Sequence, residues 1–246
     1  MNEISIHFPR VIGHRGAVGH APENTLGGIR KAAELGATWV EFDVALTKDD
    51  VPVLLHDETV DRTTDGSGNL ADMTLQDVQA LDAGRWFSDP FAGERIPTLT
   101  ETIRLLDTLG LGANVEIKPT PGRESETGRI VAKQVADEWP NSLRAPVFSS
   151  FQVEALVAAH QAAPAIPRGW LMRRPGKGWQ DQARALDCLS IHCNHRALDG
   201  KIASEIRDAG YHLLAYTVND AKRALKLFEW GVESVFSDYP ERILAI

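Results

Sequence analysis

Residues 36–56 read GATWVEFDVALTKDDVPVLLH, and how this stretch is parsed decides the fold. Gly36 stands where a helical pattern stops, the position at which a chain turning left-handed favours glycine. WVEFDVAL follows as an apolar, partly β-branched run of strand length. Within it, side-chain alternation places Glu41 and Asp43 on one face and Phe42 on the other. TKDDVP is short enough for a hairpin turn, so PVLLH is expected to return antiparallel as an extra strand ending at His56.

Outward from this stretch the same unit recurs. Eight short apolar runs, VIGH, WVEFDV, NVEIK, PVFSSF, RGWLM, LSIH, LLAYTV and SVFSD, are each followed by a helical pattern. The helices are expected over 22–36, 98–110, 125–139, 152–162, 178–186, 199–209, 220–230 and 240–245. Strict alternation of eight strands with eight helices predicts an α/β fold, a (β/α)8 TIM barrel, with an open doubly wound sheet as the competitor. Gly36, Gly110, Gly210 and Gly231 fall where helices should stop, and Pro22 where the first should start. No Pro-, Gly- or Ser-rich linker divides the chain, so residues 1–246 read as one domain. Residues 57–98 break the period. They are rich in turn formers (DRTTDGSGN), contain one capped helical piece (TLQDVQALDAG), and read as a small inserted cap after the second strand.

The 246 residues carry a formal net charge of -8, with 43% hydrophobic and 24% charged residues. That balance argues against a nucleic-acid or anionic-membrane partner and favours a small-molecule ligand. No segment approaches eighteen consecutive apolar residues, so no stable membrane insertion is expected, and a cytoplasmic location follows as the default. Two cysteines, Cys188 and Cys193, make a disulfide framework improbable.

In a barrel of this kind the working residues stand at the C-terminal ends of the strands. His14, Arg15, Glu41, Asp43, Glu116, Lys118, Phe151, His192 and Asn219 all fall at such ends. Carboxylates brought together repel one another, and an all-oxygen set favours a hard divalent cation, Mg²⁺ or Ca²⁺. Imidazoles beside it, His14 and His56, suit acid/base hydrolysis. Glu23 and Asn24 read as caps of the first helix, with a place behind the metal as the alternative. Phe151, Trp170 and Tyr216 are candidates for pocket walls, and His192 for a substrate contact. Cys188, His192, Cys193 and His195 do not converge on one strand face, which argues against zinc. The insertion reads either as a lid carrying Arg62, Arg85 or Trp86 to the site, or as a homodimer surface.

HRGAVGHAPENT, VEFDVALTKDDVPVLLHD, VEIKP, SSF and YTVN, in this order over nearly the whole chain, resemble the glycerophosphodiester phosphodiesterase family. The match is nearest its short cytoplasmic branch associated with glycerol-phosphate uptake. The resemblance implies a barrel that hydrolyses glycerophosphodiesters to sn-glycerol 3-phosphate and an alcohol with a divalent metal. It implies His14 and His56 as catalytic residues and Glu41, Asp43 and Glu116 as metal ligands. The residues themselves suit Arg15 and Lys118 to the phosphate and leave Phe151, His192 and Tyr216 as candidate substrate contacts, with barrel packing as the alternative. The family often has Trp where this chain has Tyr216. Related barrels that cleave phospholipid head groups or cyclise their product, and an inactive phosphate-binding protein, are the competing expectations.

Overall fold

The computed structural model describes residues 6–246; residues 1–5 of the expected single domain lie outside the described residues. Eight parallel strands close on themselves: β1 (Val11–Gly13), β2 (Trp39–Leu46), β4 (Gly112–Ile117), β5 (Val147–Ser150), β6 (Arg168–Met172), β7 (Ser190–Asn194), β8 (His212–Tyr216) and β9 (Ser234–Ser237). Each pairs with the next, and β9 and β2 both pair with β1, so the sheet has no free parallel edge. This is the (β/α)8 barrel, and the open-sheet alternative falls. β3 (Pro52–Leu54) lies antiparallel to the end of β2, with Val44 opposite Leu54.

The helices alternate as the periodicity predicts: α1 (Leu26–Glu34), α3 (Leu99–Leu109), α4 (Glu124–Glu138), α5 (Val153–Ala162), α6 (Trp179–Ala185), α7 (Gly200–Asp208), α8 (Ala221–Glu229) and α9 (Pro240–Leu244). Among the described residues, no helix is long and apolar enough to cross a membrane. Gly36, Gly110, Gly210 and Gly231 all take positive φ at or just past helix ends. The start of α1 differs from expectation. Thr25, not Glu23 or Asn24, caps it, its hydroxyl accepting from the Gly28 N–H at 3.0 Å. Asn24 has φ 54° and cannot continue a helix backward, so Pro22 to Asn24 stay in the loop above the barrel.

Strand alternation separates two cores. Val40, Phe42 and Val44 of β2 face outward and join Ile29, Ile103, Leu106 and Val131 in one apolar layer under the helices. Each fully buried side chain of this size contributes about 1.5–3 kcal/mol. Inside, Ile12, Trp39, Val147, Leu214 and Phe236 form the barrel floor. Gly112 is required beside Trp39, whose ring would sit 2.3 Å from any Cβ there. Trp170 packs with the outer layer around α6 to α8 and so does not wall the interior.

Residues 57–98 gather around their own apolar cluster, in which Val60, Leu70, Val78, Ala83 and Ile96 meet Ala45, Val53 and Leu55. The helical piece is α2 (Leu75–Gln79), closed by a reciprocal Thr74–Asp77 capping box. Backbone bonds from Leu54 to Pro97 and from Lys48 to Met73 tie the insertion to the barrel rim.

Candidate active site

Glu41 and Asp43 point inward from β2, and Glu116 points inward from β4, where it lies opposite Asp43 in register. One oxygen from each lies within 4.8 Å of the other two. Burial, then Asp43 and Glu116, push the Glu41 pKa well above the usual carboxylate range. Burial, then Asp43, push Glu116 up to about 7, against Lys118 and Arg15. Burial acts on Asp43 too, but Arg15, His56 and Lys118 together hold it below its ordinary value. Oε1 of Glu41 is buried with no hydrogen-bond partner among the described residues. Three inward oxygen donors, two reluctant to ionise alone and one with an orphaned atom, fit a hard divalent cation.

The loop after β1 wraps this cluster. Arg15, at φ 49°, turns left-handed so that its N–H donates to Glu41 Oε2 at 2.9 Å. Gly16 makes the turn possible, since a Cβ there would meet the Gly28 backbone at 2.5 Å. The Arg15 side chain lies 3.3 Å from Asp43 and donates to Glu23 at 2.7 Å. Asn24 grips Asp43 twice, its amide N–H donating to the carboxylate at 2.9 Å and its Oδ1 accepting from the backbone N–H at 3.1 Å. Asn24 therefore braces a member of the carboxylate cluster instead of capping α1. Lys118 stands 3.7 Å from Asp43 and 3.4 Å from Glu116.

The two imidazoles face the same cavity, of about 160 Å³, lined also by Arg15, Glu41, Glu116, Lys118, Phe151 and Tyr216. His14 Nδ1 lies 2.6 Å from Asp238 Oδ1, leaving Nε2 on the side of Glu41, 3.9 Å away. Asp238 accepts from the Asn219 amide at 2.6 Å, and hydrogen bonds from His14 and Asn219 keep it below the usual range despite burial. His56 Nδ1 lies 2.6 Å from Asp57 Oδ1, and Arg62 of the insertion donates to the other Asp57 oxygen at 2.6 Å. Burial lowers the His56 pKa, with Arg15 and Lys118 in the same direction and Asp43 opposing. Phe151 and Tyr216 meet edge to face at 5.8 Å, and the Tyr216 hydroxyl donates to the Met172 carbonyl.

His192 departs from expectation. It is wholly buried, hydrogen-bonded to Ser190 Oγ at 2.9 Å and packed on Phe236, and burial pushes its pKa down to about 3. Leu171 and Phe236 line the cavity on that side. The cause is local: Gly169 on the neighbouring strand leaves a space that the ring fills, 2.4 Å from where a Cβ would be. Cys193 packs in the outer layer and Cys188 precedes β7, so neither joins His192. Arg62 reaches the site region, but Arg85 pairs with Asp82 and Trp86 donates to Ala83. Sequence reasoning does not single out Asp57, Asp238 or the ion-paired role of Glu23. HD and SVFSD, each an acidic residue beside a chemistry-bearing strand end, were the available signals.

Residues 14–242 match the glycerophosphoryl diester phosphodiesterase family. A glycerophosphodiester phosphodiesterase of Caldanaerobacter subterraneus subsp. tengcongensis is 34% identical over 238 residues, covering 95% of this chain and 96% of that protein. One from Bacillus subtilis (strain 168) is 32% identical over 248 residues, covering 94% and 83%. Among solved structures, an Oleispira antarctica phosphodiesterase in complex with the product sn-glycerol-3-phosphate superposes with TM-score 0.93 at 42% identity, covering 96% of each chain. With a family match from His14 to Arg242 and relatives matched over 94–95% of its length, the chain belongs to the glycerophosphoryl diester phosphodiesterase family.

Proposed function

We propose that this enzyme, a glycerophosphodiester phosphodiesterase, cleaves the bond between phosphate and alcohol in deacylated phospholipids by acid/base catalysis between His14 and His56, releasing sn-glycerol 3-phosphate. The observation that carries the reading is one cavity lined by Glu41, Glu116, Arg15, Lys118 and two aspartate-backed imidazoles, with Asp43 clustered against its two glutamates. Glu41, Asp43 and Glu116 would hold Mg²⁺ or Ca²⁺, which supplies charge neutralisation for the phosphate and the glycerol hydroxyls.

An anionic phosphodiester repels nucleophiles, so its non-bridging oxygens need cations aimed at them before attack. Arg15 and Lys118 supply two from opposite sides of Asp43. His14 donates Nδ1–H to Asp238, which leaves the Nε2 lone pair free to take the proton of the nucleophile: water directly, or the glycerol 2-hydroxyl, which gives a cyclic phosphate that water then opens to glycerol 3-phosphate. As the P–O bond to the alcohol breaks, His56 delivers a proton to the departing alkoxide, held in orientation by Asp57. The incoming diester places negative charge beside Arg15 and Lys118 and so opposes the depression of the His56 pKa. Phe151 and Tyr216 offer an apolar wall to the glycerol or alcohol carbons. His192 takes no part, being sealed below the cavity.

The test is glycerol 3-phosphate release from glycerophosphocholine and glycerophosphoethanolamine with Mg²⁺, with Ca²⁺ and with chelator. Release is expected with at least one cation and not with chelator. Release that survives chelation, or that persists in both Glu41→Ala and His14→Ala, overturns the reading.

A further inference from the structure

Arg62 is the one insertion side chain, among the described residues, that bridges to both halves of the site. Its Nη1 and Nη2 donate to the two oxygens of Glu23, each at 2.8 Å, and its Nε donates to Asp57 Oδ2 at 2.6 Å. Each carboxylate has a second partner as well. Glu23 Oε1 accepts from Arg15 Nη1 at 2.7 Å, and Asp57 Oδ1 faces His56 Nδ1 at 2.6 Å. An unbroken chain of charge-assisted bonds thus runs Arg15–Glu23–Arg62–Asp57–His56, and Arg62 is its middle. A guanidinium is a planar fork with donors at fixed angles, so binding two carboxylates on different edges fixes one relative to the other. An ammonium group has the charge but not that geometry.

We propose that Arg62 is a positioning residue that sets the His56 imidazole and the Arg15 guanidinium in one rigid frame, so that proton donor and phosphate-binding cation are aligned on the same diester. This rests on His56 acting as the acid. A packing role does not account for Arg62, whose side chain is 46% exposed while Glu23 is 6% exposed. Arg62 is the leading cause that holds Asp57 well below the carboxylate range, and it heads the groups that offset burial at Glu23. Both carboxylates therefore stay ionised as acceptors, which is what orienting His56 and Arg15 requires.

The experiment uses the full chain with its divalent cation and two substrates: glycerophosphocholine, whose choline alkoxide needs a proton to leave, and the p-nitrophenyl diester of glycerol 3-phosphate, whose phenolate does not. Arg62→Ala is expected to lower kcat on glycerophosphocholine by about 10²-fold, the scale of a misplaced catalytic group, and to lose far less on the nitrophenyl diester. His56→Ala should show the same preference. Added ethylguanidinium should restore part of the Arg62→Ala loss where ammonium does not, and Asp57→Asn should add little to it. Arg62→Lys, folded by thermal melt, should remain well below wild type. Full activity in Arg62→Lys overturns the proposal, as does an equal loss on both substrates without guanidinium rescue. If His56→Ala itself shows no leaving-group preference, the acid assignment is what failed. Guanidinium rescue and the missing additivity with Asp57→Asn then still decide the role of Arg62, and their absence refutes it.

Discussion

His14 and His56 each direct Nδ1 at an aspartate oxygen 2.6 Å away, yet the two aspartates are held by unlike means. Asp238 follows the last barrel strand and is fixed by neutral donors. The Asn219 amide donates to its carboxylate, while Asn219 Oδ1 accepts from its backbone N–H at 2.8 Å. Asp57 stands at the root of the insertion and is fixed by a cation, Arg62, itself clasped by Glu23. One imidazole is thus supported by the barrel wall and the other by an ionic latch across the insertion. The contrast locates dependence: loosening the insertion should disturb His56 and leave His14 in place.

The largest effect expected of the comparison separates the imidazoles themselves. His14→Ala should cost about 10²–10⁴ in kcat whatever the leaving group, whereas the His56→Ala loss should shrink on a nitrophenyl diester. Equal behaviour of the two variants on the two substrates would erase the division into base and acid. Next come the supports. Asp238→Asn should cost about 10²-fold, and Asp57→Asn about tenfold, because Asp43 also favours protonated His56. Steady-state kinetics in which Asp57→Asn proves the more damaging would reverse the ranking of wall and latch.

A third, smaller effect is on stability. Glu116 titrates near 7 in the folded chain against an ordinary 4.5, so its protonated form stabilises the fold fully below about 4.5 and that contribution is lost as pH rises to about 7. Glu41 acts in the same direction. Asp57 and Asp238, held low, contribute in the opposite sense: their share is present above 3.8 and lost only at more acid pH. The melting temperature with chelator should therefore fall from pH 5 to pH 8, and a divalent cation should remove most of that fall. A chelated protein whose melting temperature is flat across this window would contradict the crowding of the three carboxylates. The smallest effect is a control on the insertion: Arg85→Ala, whose side chain is 67% exposed, should leave kcat/KM within about twofold. A larger loss would mean that the insertion acts through more than Arg62.

Much of the site could be read from single strands. Glu41 and Asp43 share a face because they are two apart on one strand, and Glu116 and Lys118 do so for the same reason. The same rule placed His192 inward, where it does lie, but alternation gives the face and not the depth. A glycine on the neighbouring strand drew the ring into the core instead of the mouth. Trp170 illustrates the converse, an aromatic whose strand parity already pointed it to the helices. The start of α1 was misplaced because Pro22, Glu23 and Asn24 resemble a helix opening. The side chains of Glu23 and Asn24 bond Arg15, Arg62 and Asp43 instead, partners that no local pattern reveals.

The sequence by itself determined the repeated strand–helix unit, the hairpin that adds β3, the pairing of carboxylates on inward faces and the chemistry those groups can carry. These depend on periodicity and residue type, which are local. Only the tertiary structure decided which imidazole each aspartate serves and which insertion side chain meets the site. His14 and Asp238 are 224 positions apart, and Arg62 meets Glu23 across 39. Such contacts exist only because closing the barrel sets β9 beside β1 and because packing of the insertion's own core brings Arg62 over the rim.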